Sequence, residues 1–116
     1  MSGDRKGFGD FAERVAAHYL ASRGCEILDR KWRCRFGEID LVAREADTLV
    51  FVEVRARRSG SMGTAAESIT PRKRAHLLAA AAAYWVAHPG LPEQRRIDLI
   101  TVEQGERGIE DRKSVV

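Results

Sequence analysis

Two short strings, Gly37-Glu38-Ile39-Asp40-Leu41-Val42 and Phe51-Val52-Glu53-Val54-Arg55, constrain the fold most, because each plants acids inside an otherwise apolar strand. A carboxylate in a half-buried strand is costly unless a donor or a cation pairs with it. Arg44-Glu45-Ala46-Asp47-Thr48 separates the runs. A tight hairpin centred between Ala46 and Asp47 sets residue 45 opposite 48, 42 opposite 51 and 40 opposite 53. Side chains alternate, so Glu38, Asp40 and Val42 share one face with Phe51, Glu53 and Arg55, and Ile39, Leu41, Val50, Val52 and Val54 share the apolar other face. Asp40 then faces Glu53, and Glu38 faces Arg55 as an ion pair. Opposed acids stand about 5 Å apart between Cβ atoms and repel. A metal ion is the simplest shared counter-charge. A three-residue loop with a bulge is the competing geometry; it shifts the register by one and separates Asp40 from Glu53.

A single strand acid normally lies on a solvated face and does no chemistry. Two opposed acids, with Arg55 two places beyond Glu53 and pointing the same way, supply what phosphodiester cleavage needs. These are oxygen ligands for a hard divalent cation and a positive charge for the transition state.

The succession Gly-Glu-Ile-Asp-Leu-Val, hairpin, Phe-Val-Glu-Val-Arg, then Thr70-Pro71-Arg72-Lys73 opening an alanine-rich helix, resembles the YraN-like family of uncharacterised bacterial proteins, within the PD-(D/E)xK restriction-endonuclease-like superfamily. The resemblance spans nearly the whole chain, including Glu13 in the first helix and Arg96-Ile97-Asp98-Leu99-Ile100 in the last strand. It implies that Asp40 is the motif aspartate, Glu53 the second metal ligand and position 55 the catalytic lysine. This chain has Arg55 there, and arginine stabilises charge but does not release a proton to activate water. Lys73, on the neighbouring helix, is the substitute that the superfamily suggests. The arrangement is also similar to that of Holliday junction resolvases, which add an acid from the first helix. Glu13 is the matching position, at the margin of a stripe formed by Phe8, Phe11, Ala12, Val15, Tyr19 and Leu20.

Composition bounds these readings. At 116 residues the chain is read as one domain, 1–116, able to bury roughly two-thirds of its unfolded surface. No apolar run approaches the ~20 residues that span a bilayer, so no membrane partner is expected. The opening Met1-Ser2-Gly3-Asp4-Arg5-Lys6-Gly7-Phe8 lacks an apolar secretory core, which points to the cytoplasm. Cys25 and Cys34 have neither zinc-ligand nor redox spacing, and His18, His76 and His88 are scattered, so the metal expected is hard and oxygen-ligated: Mg²⁺ or Mn²⁺.

Net charge is only +3, yet basic residues cluster at Arg30, Lys31, Arg33 and Arg35; at Arg55, Arg57 and Arg58; at Arg72, Lys73 and Arg74; and at Arg95 and Arg96. Of these, Arg35, Arg57, Arg58, Arg72, Lys73 and Arg74 are the expected phosphate contacts. Cations in the first turn of a helix oppose its macrodipole unless an anion lies near, which favours phosphate at residues 72–74.

The elements expected are a helix over about 8–23 ended by Gly24, strands over about 25–35, 37–44 and 48–57, a flexible loop at Ser59-Gly60-Ser61-Met62-Gly63-Thr64, and a helical turn at 65–69. A helix capped by Thr70 with Pro71 first and Leu77, Leu78, Ala81, Tyr84 and Trp85 inward follows. The strand at about 96–103 should return parallel to the third strand. Residues from about 104 onward read as a loop or tail. The expected fold is α/β: a restriction-endonuclease-like αβββαβ core with a mixed central sheet flanked by helices. The leading expectation is a nuclease acting on nucleic acid, DNA more than RNA and structured DNA above all. Asp40 and Glu53, with Glu13, hold its metal, Arg55 or Lys73 stabilises the phosphate, and Glu38 orients Arg55 or joins the metal's outer shell. The alternative is a non-catalytic nucleic-acid-binding module on the same fold. A third reading is an accessory whose basic face docks an acidic protein. The resolvase resemblance also allows a homodimer, since two strands are cut symmetrically.

Overall fold

The computed structural model describes residues 2–58, 69–104, 108–113 and 115, with the backbone alone for residues 2–8, 58 and 104. In chain order the elements are α1 (Ser2–Ser22), β1 (Glu26–Cys34), β2 (Gly37–Glu45), β3 (Thr48–Arg58), α2 (Pro71–Ala87), β4 (Gln94–Gln104) and β5 (Gly108–Arg112). The strands form one sheet in the order β1-β2-β3-β4-β5, antiparallel except for the parallel β3–β4 pair. It is the expected mixed sheet with helices on both faces, and it carries a fifth strand.

The hairpin takes the tight register: Glu45 pairs with Thr48, Val42 with Phe51 and Leu41 with Val52. Ala46 adopts φ 51° in the two-residue turn, the left-handed conformation that such a turn requires. Gly24 at φ 90° ends α1: its N–H bonds the Ala21 carbonyl and the Cys25 N–H reaches back to Leu20, which satisfies carbonyls that the helix end leaves open. Thr70 caps α2 through its Oγ1, which accepts from the Lys73 N–H at 3.1 Å.

Two apolar layers hold the sheet between the helices. On one face Ala12, Ala16, Ala17 and Leu20 of α1 pack on Leu41, Ala43, Val50, Val52, Ile100 and Val102. On the other, Leu77, Ala80, Ala81 and Tyr84 of α2 pack on Val42, Leu49, Phe51 and Ile97. The Tyr84 ring meets Trp32 and Phe51 edge-on at 5.1 and 5.7 Å, which ties β1 and β3 to α2.

The structure corrects several expectations. The inward stripe of α1 is mostly small: Ala16 and Ala17 are buried, whereas Phe11 is 49% exposed, because a helix lying flat on a sheet is brought closest through side chains without bulk. Leu78 likewise faces outward, and Ala80 takes the core position. The helix begins at Ser2 rather than near residue 8. Ile39 packs with Val42 and Phe51 rather than opposite them, because strict alternation fails where β2 and β3 part after Leu41 and Val52. Beyond residue 104 the chain forms β5 against β4 instead of a tail, and the Val115 N–H bonds the Ile97 carbonyl at 2.9 Å. The edge of β4 is thereby paired rather than left open. The expected loop at 59–64 and the turn at 65–68 lie outside the described residues.

Leu41→Ala, which empties a fully buried position, should cost about 3 kcal/mol of stability, whereas Leu78→Ala should stay within about 0.5 kcal/mol. Urea unfolding of the two variants measures the difference; equal losses would contradict the outward placement of Leu78.

Candidate metal centre

β2 and β3 pair from the turn as far as Leu41 and Val52 and then separate. Where the next ladder bond would fall, a side chain takes over: Asp40 Oδ2 accepts from the Val54 N–H at 2.8 Å. This holds the Asp40 carboxyl in the fork between the strands, half-buried and hydrogen-bonded to Glu53. Asp40 and Glu53 are thus brought together as the register requires. Burial pushes Asp40 up to about 8, the bond to Glu53 and its negative charge push the same way, Val54 opposes, and Glu13 adds to the rise. Asp40 therefore keeps its proton more readily than a carboxyl in water does.

Glu53 is 3% exposed. Its Oε2 accepts from Lys73 Nζ at 3.0 Å and from Arg55 Nη2 at 3.2 Å. Lys73 comes from the first turn of α2, so the Thr70 cap that starts this helix also sets the lysine over β3. Glu38 does not pair with Arg55, as the hairpin register had suggested. It bonds Arg33 Nε of β1 at 3.0 Å instead, because a central strand offers its acids neighbours on both sides.

Glu13, Glu38 and Asp40 each bring one carboxylate oxygen to a common place, all within 4.8 Å of one another, from α1 and β2. All three are half-buried. Glu13 also holds Lys31 Nζ at 3.1 Å, and the same ammonium bonds Asp10 at 2.9 Å. The expected metal set was Asp40, Glu53 and Glu13. The geometry gathers Asp40 with Glu13 and Glu38, and it sets Glu53 alongside Asp40 between two cations. Counter-charges are uneven: Glu13 has Lys31, Glu38 has Arg33 and Glu53 has two, whereas Asp40 has no basic partner among the described residues.

Of the expected phosphate contacts, Arg72 and Arg74 are exposed at the start of α2, whose first turn holds no acid. Arg35 is exposed with its guanidinium 4.8 Å over the Phe36 ring. Arg57 is half-buried and stands beside Glu103 in the β3–β4 register, turned toward the β5 side of the sheet. The side chain of Arg58 lies outside the described residues. Asp98, a further acid in β4, is fully buried, and both of its oxygens accept from Arg96 Nε at 3.1 Å. Sequence reasoning missed Lys31 and Asp10 as partners of the acids. The signal was present: Asp10 and Glu13 are three apart on one helical face, where a single cation reaches both.

A family model described as "Uncharacterised protein family UPF0102" matches residues 12–102. A UPF0102 protein of Roseiflexus castenholzii is 53% identical over 112 residues, covering 95% of this chain and 90% of that one. Another, from Kineococcus radiotolerans, is 50% identical over 101 residues, covering 86% and 83%. The chain belongs to the UPF0102 (YraN-like) family.

The raised Asp40 predicts how stability depends on pH. The folded protein keeps a proton that the unfolded chain releases near pH 4, so metal-free stability is fullest below that pH and falls as pH rises through about 8. Asp40→Asn, which mimics the protonated carboxyl, should flatten the decline by about 2 kcal/mol, allowing for solvent at a half-buried site. Urea unfolding between pH 4 and 8.5 without divalent ions checks it; parallel profiles for the two proteins would refute the assignment.

Proposed function

We propose that this protein is a metal-dependent nucleic-acid phosphodiesterase of PD-(D/E)xK type, acting on structured DNA with Mg²⁺ or Mn²⁺. The observation that carries the reading is the meeting of Glu13, Glu38 and Asp40 within 4.8 Å, with Glu53 beside Asp40. Carboxylate oxygens suit a hard divalent ion, and Asp40, raised by burial and by Glu53, is the acid with most to gain from one. Glu13, Glu38 and Asp40 would hold the ion, and Glu53 is close enough to Asp40 to complete the set. Bound there, the metal would supply Lewis acidity and a water of lowered pKa.

The other side chains divide the remaining work. Arg55 keeps a buried Nε with no hydrogen-bond partner among the described residues, a donor suited to a phosphate oxygen. Being permanently charged, it stabilises developing charge and takes no proton. Lys73 is the nearby group able to exchange one. Arg72 and Arg74 meet the backbone at the helix end, where an anion offsets their conflict with the helix macrodipole. Arg35 and Arg57 extend the basic surface, as Arg58 would. Because no base-reading module is recognisable in the sequence, recognition of DNA shape is favoured over recognition of sequence.

One observation supports a second reading. Glu53 already holds two cations, and the lysine position is Arg55, an arrangement that also suits a module which binds nucleic acid without cutting it.

Cleavage of labelled single-stranded, duplex, flap and four-way-junction DNA separates the two readings. The wild type should cut only with Mg²⁺ or Mn²⁺, and an Asp40→Ala, Glu53→Ala double variant from the same preparation should lose at least about a hundredfold in rate. Salt-sensitive binding that survives chelation, with no cutting, would favour the binding module.

A further inference from the structure

We propose that Lys31 is a tethered cation that competes with the metal for Glu13, so that the protein sets the metal affinity of its own site. The inference rests on the metal-centre reading above. Three observations carry it. First, the Lys31 ammonium reaches across from β1 to α1 and sits between Asp10 and Glu13 at 2.9 and 3.1 Å. Second, Glu13 is the one acid shared between that ammonium and the oxygens gathered with Glu38 and Asp40. Third, Lys31 has φ 50° in the middle of a strand, in the left-handed region that costs a non-glycine residue about 1–2 kcal/mol.

Trp32 and Cys34 pack on the α2 side, so alternation along β1 directs Lys31 to the α1 side, and the strained backbone at position 31 is retained where the ammonium meets the two acids. Lys31 is therefore held at the acids rather than swinging free like a surface lysine. Its charge lies one hydrogen bond from Glu13, a carboxylate that would hold the divalent ion, so the two cations would repel across a short distance.

Asp10 makes the competition reversible. When an ion takes Glu13, the ammonium keeps Asp10 as its partner and is not left without an acid. Lys31 does not ligate the metal, so its part is to position and charge the site.

The test is a titration of metal-free protein with Mn²⁺ at fixed pH and ionic strength, with free Mn²⁺ read by electron paramagnetic resonance. Lys31→Asn removes the ammonium and suits a left-handed backbone; Lys31→Met keeps the aliphatic stem if the asparagine variant folds poorly. Both should bind Mn²⁺ about tenfold more tightly than wild type, and Lys31→Arg, which keeps the charge, should remain within about threefold of it. Asp40→Asn should lose the binding in every background. Equal or weaker Mn²⁺ binding by the two neutral variants would overturn the role of Lys31 while leaving the metal centre intact. Failure of wild type and all variants to bind Mn²⁺ would overturn the metal centre, and this inference with it.

Discussion

The fork between β2 and β3 is the constraint on which the site depends. An antiparallel ladder would ordinarily run on past Leu41 and Val52, and it would hide its backbone donors in regular bonds. Here the Asp40 carboxylate replaces the next bond by taking the Val54 N–H, so the strand opening costs no unsatisfied donor. The same bond fixes the acid where Glu53 must meet it. Fold and candidate site therefore share one interaction: loosening the fork would free the carboxyl group that closes it.

How much of this was legible in the sequence follows from the range of the forces involved. The hairpin register could be counted from a two-residue turn, and the meeting of Asp40 with Glu53 followed from it. The caps at Gly24 and Thr70 were equally local. What could not be read depended on neighbours distant in sequence. Glu38 had two candidate strands beside it, and only the placement of β1 selects Arg33 over Arg55. The burial of Ala16 and Ala17 ahead of Phe11 reflects close approach of a helix to a sheet, which hydrophobicity along one helix does not encode. β5 was missed because Gly-Ile-Glu-Asp-Arg has a single apolar residue to alternate, and its formation rests on the unpaired edge of β4.

The fold contains a second group of acids that is paired differently, and the contrast separates an acid left without a cation from one held by a guanidinium. Asp98 is more deeply buried than Asp40, yet both of its oxygens lie 3.1 Å from Arg96 Nε, and the same guanidinium bonds Glu45 at 2.9 Å. Glu45 in turn accepts from the Cys25 thiol, whose pKa is raised by burial first and by Glu45 next, so the sulfur stays protonated and unreactive. Every member of that chain has its complement.

Depth alone is therefore a poor guide to function in this molecule. Asp98 is the more buried acid and is electrically complete, whereas Asp40 is only half-buried and is raised by that burial first and then by Glu53 and Glu13 beside it. Folding has supplied Lys31, Arg33, Arg55 and Lys73 to the surrounding carboxylates and left the central one to a backbone N–H. A protein selected only for stability would gain by placing a cation there, as it has at Asp98. That Asp40 is instead surrounded by further acids is what the proposed metal centre would need, its positive charge coming from outside the chain.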